Sequence, residues 1–471
     1  MRVRTLSSEE LELPQDVVNG WKARLRGPVL TPADAGYEDS RTVWNSMIDR
    51  RPAMVARCLG VADVIECVRF ARENNLLVCV KGGGHNIAGL AVADGALMLD
   101  MSLMRGVWVD PHGRLARAQA GCVLGDVDRE TQLHGLASVL GFISLTGIAG
   151  LTLGGGIGYL TRRWGWTSDN VAGIDIVTAD GRLVRASSDE NADLFWGLRG
   201  GGGNFGVVTG IDYVLHRVGP EMVGGIVAWP ASEAPKVLEL YRTLAEQAPP
   251  ELTLVALMRP APPAPWLPKE RHGTPIVALL ACHTGDPNEG EKALSPIKSF
   301  GKPIGDIMVR RTYQQIQSLL DATQPKGRRY YWKSEYLPRI ERELLDKFIE
   351  HAARIRSPHS GVILFQMDGA LNRVSQDHSA VGNRNARYLL NIAGAWERPD
   401  DDATNIGWAR EAWNDLRRFS TGGTYINFLT EDEGTERTEA ALGGALQRLA
   451  QIKARWDPQN MFRTNRNIKP A

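Results

Sequence analysis

Three glycine clusters constrain this chain more than any other feature: Gly82-Gly83-Gly84, Gly154-Gly155-Gly156 and Gly200-Gly201-Gly202-Gly203. Each is flanked by apolar or β-branched residues rather than by Ser and polar filler, so none reads as a linker. Glycine placed this way marks a backbone that must approach something closely. Where such loops follow strands, their N–H groups can converge on phosphate oxygens, and a pyrophosphate is the natural ligand. Two plainer readings stay open on the residues alone: a nicotinamide dinucleotide fold, and tight turns in a non-catalytic protein. The first needs G-x-G-x-x-G opening a helix and an acidic residue about 20 positions on. Neither Gly154–Gly158 nor Gly201–Gly206 shows that arrangement.

At 471 residues the chain exceeds what one hydrophobic core usually fills, so two domains are expected. The net charge is +1 and the basic residues are interspersed with acidic ones, which gives no reason to expect a nucleic-acid partner. The N-terminal MRVRTLSSEELELPQDVV lacks the apolar core of a secretory signal, and no segment offers the roughly 20 apolar residues of a membrane span. A cytoplasmic protein without membrane contact is the expectation. Five cysteines, an odd number with no C-x-x-C pair, read as buried thiols, and nine scattered histidines lack metal-ligand spacing, so no metal is expected.

Periodicity gives an α+β pattern with mixed strands. Val61, Val64, Ile65 and Val68 fall at helical spacing before Asn75, and Leu76–Val80 is a short apolar strand that ends at the first glycine cluster. Further strands are predicted at Ala96–Asp100, Val107–Asp110 and Leu115–Ala120, a helix at Leu124–His134, and a hairpin of Ile174–Thr178 with Leu183–Ala186 across an Asp-Gly turn. Beyond residue 220 glycine thins out and longer amphipathic helices alternate with strands such as Ile276–Cys282 and Val362–Met367. The expected division is residues 1–219, a second domain over 220–419, and a tail over 420–471 that packs back on the first.

The run Lys81-Gly82-Gly83-Gly84-His85-Asn86-Ile87-Ala88-Gly89 resembles the PCMH-type FAD-binding, vanillyl-alcohol-oxidase superfamily, in its berberine-bridge-enzyme-like branch. The resemblance continues in order through Leu145–Gly158, Ser168-Asp169-Asn170, Gly203–Val208 and the closing Trp456–Ile468. It implies a two-subdomain FAD-binding domain with an inserted α+β substrate domain, an antiparallel sheet with helices, lying over the flavin. It also implies hydride removal from an alcohol, amine or activated C–H bond of a small organic substrate, with O2 as electron acceptor. A flavin dehydrogenase with another acceptor, or a nicotinamide-dependent enzyme, is the alternative.

The resemblance assigns residue roles as well. His85 would carry FAD covalently. The remaining cofactor contacts would be Lys81, Gly82, Gly83, Gly84, Asn86 and Gly89; Thr146, Gly147, Gly150, Gly154, Gly155 and Gly156; Asp169 and Asn170; Phe205, Gly206, Val207 and Val208; and Asn427, Asn465 and Asn467. Members with two covalent links place a cysteine where Ile143 stands here, and Cys122 lies well before that loop, so a single link is expected.

Tyr425 of the Y-x-N motif is the candidate base, which requires a neighbouring charge or donor that favours phenolate, with Lys333 and Arg384 as sources. Alternation puts Leu389 and Asn391 on one face of a strand facing the flavin, Asn391 being able to orient substrate. In Arg328–Lys333, Tyr330 and Trp332 share one face and Tyr331 and Lys333 the other. That pattern suits a pocket lining, with nucleic-acid stacking the other reading. Thr146 is expected beside the flavin, gating O2.

Overall fold

The computed structural model describes residues 1–471. The first helix of consequence forms at Val61–Glu73 and buries Val64, Cys67, Val68 and Ala71 along one face, as the apolar spacing requires. It leads into the strand Val78–Lys81, which pairs in parallel with Leu97–Asp100, itself parallel to Met54–Arg57. Val29–Leu30 closes the edge of this four-stranded sheet antiparallel to Met54–Arg57. All four residues of Leu97–Asp100 are buried, the continuous apolar pattern of a strand covered on both faces.

A second sheet of five antiparallel strands follows, in the order Leu183–Ser187, Val171–Val177, Val207–Val214, Leu115–Gln119, Val107–Asp110. Its first two strands are the predicted hairpin, with Gly181 at φ +76° in the turn. The C-terminal helix Leu446–Trp456 packs Leu449 and Ile452 into the core of this sheet, while Met461 and Phe462 enter the core of the four-stranded one.

The third sheet is antiparallel and has eight strands between Glu221 and Trp396. Period-two alternation divides its faces cleanly. On Leu252–Pro260, Leu252, Leu254, Ala256 and Met258 join a core with the helices Ala234–Gln247, Arg342–Ala353 and Asp402–Leu416. Val255 and Leu257 turn to the other face, toward the glycine-rich part of the chain. The architecture is α+β. All five cysteines are buried free thiols, and no helix is long and apolar enough to cross a membrane.

Candidate functional site

Two of the glycine loops touch. A Cβ on Gly83 would run into the backbone N and Cα of Gly147, and one on Gly147 would meet Gly83 in the same way. The loop after Val78–Lys81 can therefore lie against the loop that opens the short helix Ile148–Leu153 only if both positions lack a side chain. His85 emerges just past this contact, with Gly84 at φ +68° turning the chain toward it.

The loops wall one side of a cavity of about 870 Å³, and the free face of the eight-stranded sheet walls the other. Gly82, Gly83, Gly84, His85 and Asn86 line it, as do Thr146, Gly147, Gly150 and Gly154, then Gly206 and Val208, and finally Tyr425, Asn427 and Asn465. The remaining expected cofactor contacts are not part of the lining.

The Lys81 ammonium donates to the Ser40 carbonyl, lies 3.6 Å from Asp100 and is lowered by burial. Asp169 accepts two bonds from Arg384, at 2.6 and 3.0 Å, and one from the Trp166 N–H. Asn170 spans the carbonyls of Trp164 and Trp166. Phe205 and Val207 are core residues, Gly155 and Gly156 form the left-handed turn behind the cavity wall, Gly89 sits against Ile48, and Asn467 is exposed.

His85 stacks on Trp44 with ring centroids 5.4 Å apart and planes at 15°. Burial pushes its imidazole down to about 4, so it is neutral and keeps a lone pair at physiological pH. Trp44 in turn stacks on Tyr330 at 3.6 Å and donates its indole N–H to the Gln324 carbonyl at 2.9 Å. Beside it, the Asn45 amide bridges the carbonyls of Ile87 and Tyr330 at 2.8 and 2.9 Å and accepts from the Tyr330 N–H. This pair fastens the histidine loop to the sheet. Sequence reasoning missed both residues, and no local pattern marks them, because the partners named here lie about 40 and about 280 positions away.

On the sheet wall, Asn391 and Leu389 share the inward face. The Asn391 Oδ1 and the Trp332 Nε1 line the cavity, buried and without protein partners. Tyr331 and Lys333 point the other way. The Lys333 ammonium meets Thr430 and Asp432 at 3.3 Å and Glu433 at 3.5 Å. Arg384 is spent on Asp169 and Ser379. The expectation that either cation serves Tyr425 is therefore corrected: strand alternation sends Lys333 to the opposite face, and Arg384 is held by its carboxylate.

Tyr425 precedes a 3-10 turn, Ile426–Phe428, rather than lying in a strand. Its hydroxyl oxygen accepts from the Gly156 N–H at 3.1 Å and from the Asn427 Nδ2 at 2.9 Å. Burial pushes the phenol well up, and these two bonds pull against it. Asn427 packs where a Cβ on Gly154 would sit, so the Y-x-N motif docks directly on the second glycine cluster.

Ile143 lines the cavity, whereas the Cys122 thiol points at the Gly106 carbonyl, 3.6 Å away, and burial pushes it up to about 12. That thiol is neither presented to the cavity nor ionised at neutral pH.

Comparison with known proteins agrees with this geometry. The FAD binding domain family matches residues 52–187, and the berberine and berberine-like family matches residues 424–469. (R)-6-hydroxynicotine oxidase of Paenarthrobacter nicotinovorans is 30% identical over 470 residues, covering 95% of this chain and 97% of that protein. An FAD-linked oxidoreductase of Dictyostelium discoideum is 28% identical over 459 residues, covering 96% and 97%. The crystal structure of 6-hydroxy-D-nicotine oxidase from Arthrobacter nicotinovorans superposes with a TM-score of 0.83 at 26% identity, over 98% of this chain and all of the other.

Proposed function

The chain belongs to the berberine-bridge-enzyme-like family of FAD-linked oxidoreductases, and from that premise we propose that it oxidises a C–H bond of a small organic molecule bound between the glycine loops and the sheet, with FAD tethered through His85 and O2 as the electron acceptor. One observation carries this reading: a single cavity brings His85 and the glycine loops to face Asn391 and Trp332.

The residues present fit such a cofactor. The Gly83–Gly147 contact leaves a cradle that a side chain would fill, and Asn465 Oδ1 and Arg466 Nε line the same cavity as buried polar atoms without partners. His85, Gly82–Gly84, Thr146–Gly150, Asn465 and Arg466 would hold it, and when bound it supplies the two-electron chemistry. Residues 220–419 form the unit that covers it.

The protein's part is position, dryness and proton control. Neutral His85, held flat by Trp44, offers a lone pair for the tether without first losing a proton. The Asn391 carbonyl oxygen, unpartnered on the wall, orients a hydroxyl or amine of the substrate. Tyr425 takes the proton that leaves with the hydride. Its phenolate is stabilised by the N–H groups of Gly156 and Asn427 rather than by a cation. The apolar surround of Phe142, Phe365 and Phe428 keeps water from the reacting carbon. Ile143 in place of the second attachment residue supports a single tether.

An anaerobic screen of alcohols and amines tests this reading: purified protein should be yellow, and at least one compound should bleach it. A colourless protein, or a flavin that no compound bleaches, overturns it. For the acceptor, Thr146→Ile should slow reoxidation by air severalfold, because the larger side chain fills the cavity edge where Thr146 stands. Reduced wild-type flavin that persists in air for minutes would point to another acceptor.

A further inference from the structure

The charge on the cavity lining is one-sided. No aspartate or glutamate reaches it, whereas three arginines do: Arg466 on the glycine-loop side, and Arg259 and Arg328 at the sheet end. The two terminal nitrogens of Arg466 are occupied by the carbonyls of Leu429, Thr430 and Glu433, and its Nε is the one assigned above to the cofactor. The other two are not matched by any carboxylate. The Arg259 guanidinium meets the carbonyls of Pro260 and Pro358, each at 3.2 Å, and Arg328 donates to the Thr323 carbonyl at 3.2 Å and lies beside the Tyr330 hydroxyl. His359, on the same wall, is the neighbour that has an acid, Glu397 at 3.0 Å, whose own side chain is 70% exposed and turned to solvent. A half-buried guanidinium beside a second one, with no counter-ion, is a costly arrangement for a protein to keep. Burial, with the charge of Arg328 added, pushes Arg259 down to about 10.

The sheet builds a floor in front of this pair. Trp332 is opposite Ala393, Ala393 is opposite Gly361, and a Cβ on Gly361 would lie 3.5 Å from that of Arg259. Trp332, Ala393, Gly361 and Arg259 therefore form one row across four strands, about 14 Å from end to end at ordinary strand spacing. The two middle positions carry almost no side chain. Asn391, two residues from Ala393 on the same strand, shares this inward face. The result is a trough with hydrogen-bonding groups at one end, the Arg259 guanidinium at the other and open space between, while Arg328 enters the lining from the start of the Trp332 strand, near enough to act on Arg259 by its charge.

We propose that the substrate is an organic acid, its carboxylate held by Arg259 and Arg328 and its body lying over Gly361 and Ala393, with the oxidised carbon several bonds away toward Asn391. The assignment rests on the reading that the substrate lies on the sheet side of the flavin. A planar carboxylate matches the fork of an arginine, and the charge it brings is the one the wall lacks.

The test uses the flavin as reporter. Holoenzyme is titrated with benzoate, phenylacetate, indole-3-acetate and hexanoate, each against its neutral amide, and binding is followed by perturbation of the visible flavin spectrum. At least one acid should bind more than about tenfold tighter than its amide. That preference should fall to near unity in Arg259→Gln and in Arg328→Gln, and return in part in Arg259→Lys. No acid outbinding its amide, or a preference that survives both glutamine substitutions, overturns the proposal. So does an Arg259→Gln protein that loses its flavin, since Arg259 would then be a cofactor contact. A colourless wild-type protein is a different failure, that of the flavin reading itself.

Discussion

At the scale of single residues, the proposed chemistry turns on how burial sets two protons. His85 is held neutral, which leaves its lone pair free to form the proposed tether, and because that tether is covalent it should survive unfolding: protein precipitated with acid should keep its yellow colour in the pellet, and His85→Ala should release all flavin to the supernatant. Colour in the wild-type supernatant alone would show that the histidine only packs. Tyr425 is shifted the other way. With the phenol pushed above its ordinary value, the base form is scarce at neutral pH and grows as pH rises, so the rate of anaerobic flavin reduction should climb throughout the alkaline range. Tyr425→Phe should lose that climb and slow reduction by about 100-fold or more, with the flavin still attached. An unchanged pH profile in the variant would remove Tyr425 from proton transfer. These residues were legible because local motifs mark them: G-G-H for one, Y-x-N for the other. Trp44 and Arg259 were not, since an isolated tryptophan or arginine gains meaning only from partners folded against it.

At the scale of elements, the strands were readable wherever one pattern ruled. Val107–Asp110 forms over the predicted span, and the hairpin around Gly181 appears with each strand slightly longer than expected. Lys333 shows where pattern stops. Alternation in Arg329–Leu337 correctly separates Trp332 from Lys333, yet only the folded sheet shows which face looks into the cavity. The glycine loops carry the opposite lesson: their composition announced close approach, but what they approach is partly each other. Gly83→Ala should therefore damage more than a cofactor contact. It should force the two loops apart, cost about 1–3 kcal/mol in denaturant unfolding and lower flavin content together. Normal stability with full flavin would mean that the loops can yield.

At the scale of the molecule, the C-terminal segment is locked to the end of the third glycine cluster. Lys453 and Asp457 form a fully buried ion pair at 2.7 Å. The lysine also donates to the carbonyls of Asn204 and Phe462, and the aspartate accepts from the N–H groups of Met461 and Phe462. Asp457→Asn leaves a buried ammonium without its counter-charge and should cost about 3–5 kcal/mol, measurable as a lower unfolding midpoint in urea. A midpoint within error of wild type would show that the carbonyls alone suffice.

The fastening of the histidine loop to the sheet through Trp44 and Asn45 has a consequence for traffic. With the two walls stitched together on that side, they cannot part like a hinged shell. The exposed residues of the lining are Pro263, Pro265 and Pro358, and also Gly83, Gly150 and Ala322, so the cavity opens on the loop side as well as at the proline rim. A vessel pinned along one side fills and empties through fixed openings instead of by parting its walls, and at the opening where Pro358 meets Arg259 a guanidinium stands among the first groups an entering molecule encounters.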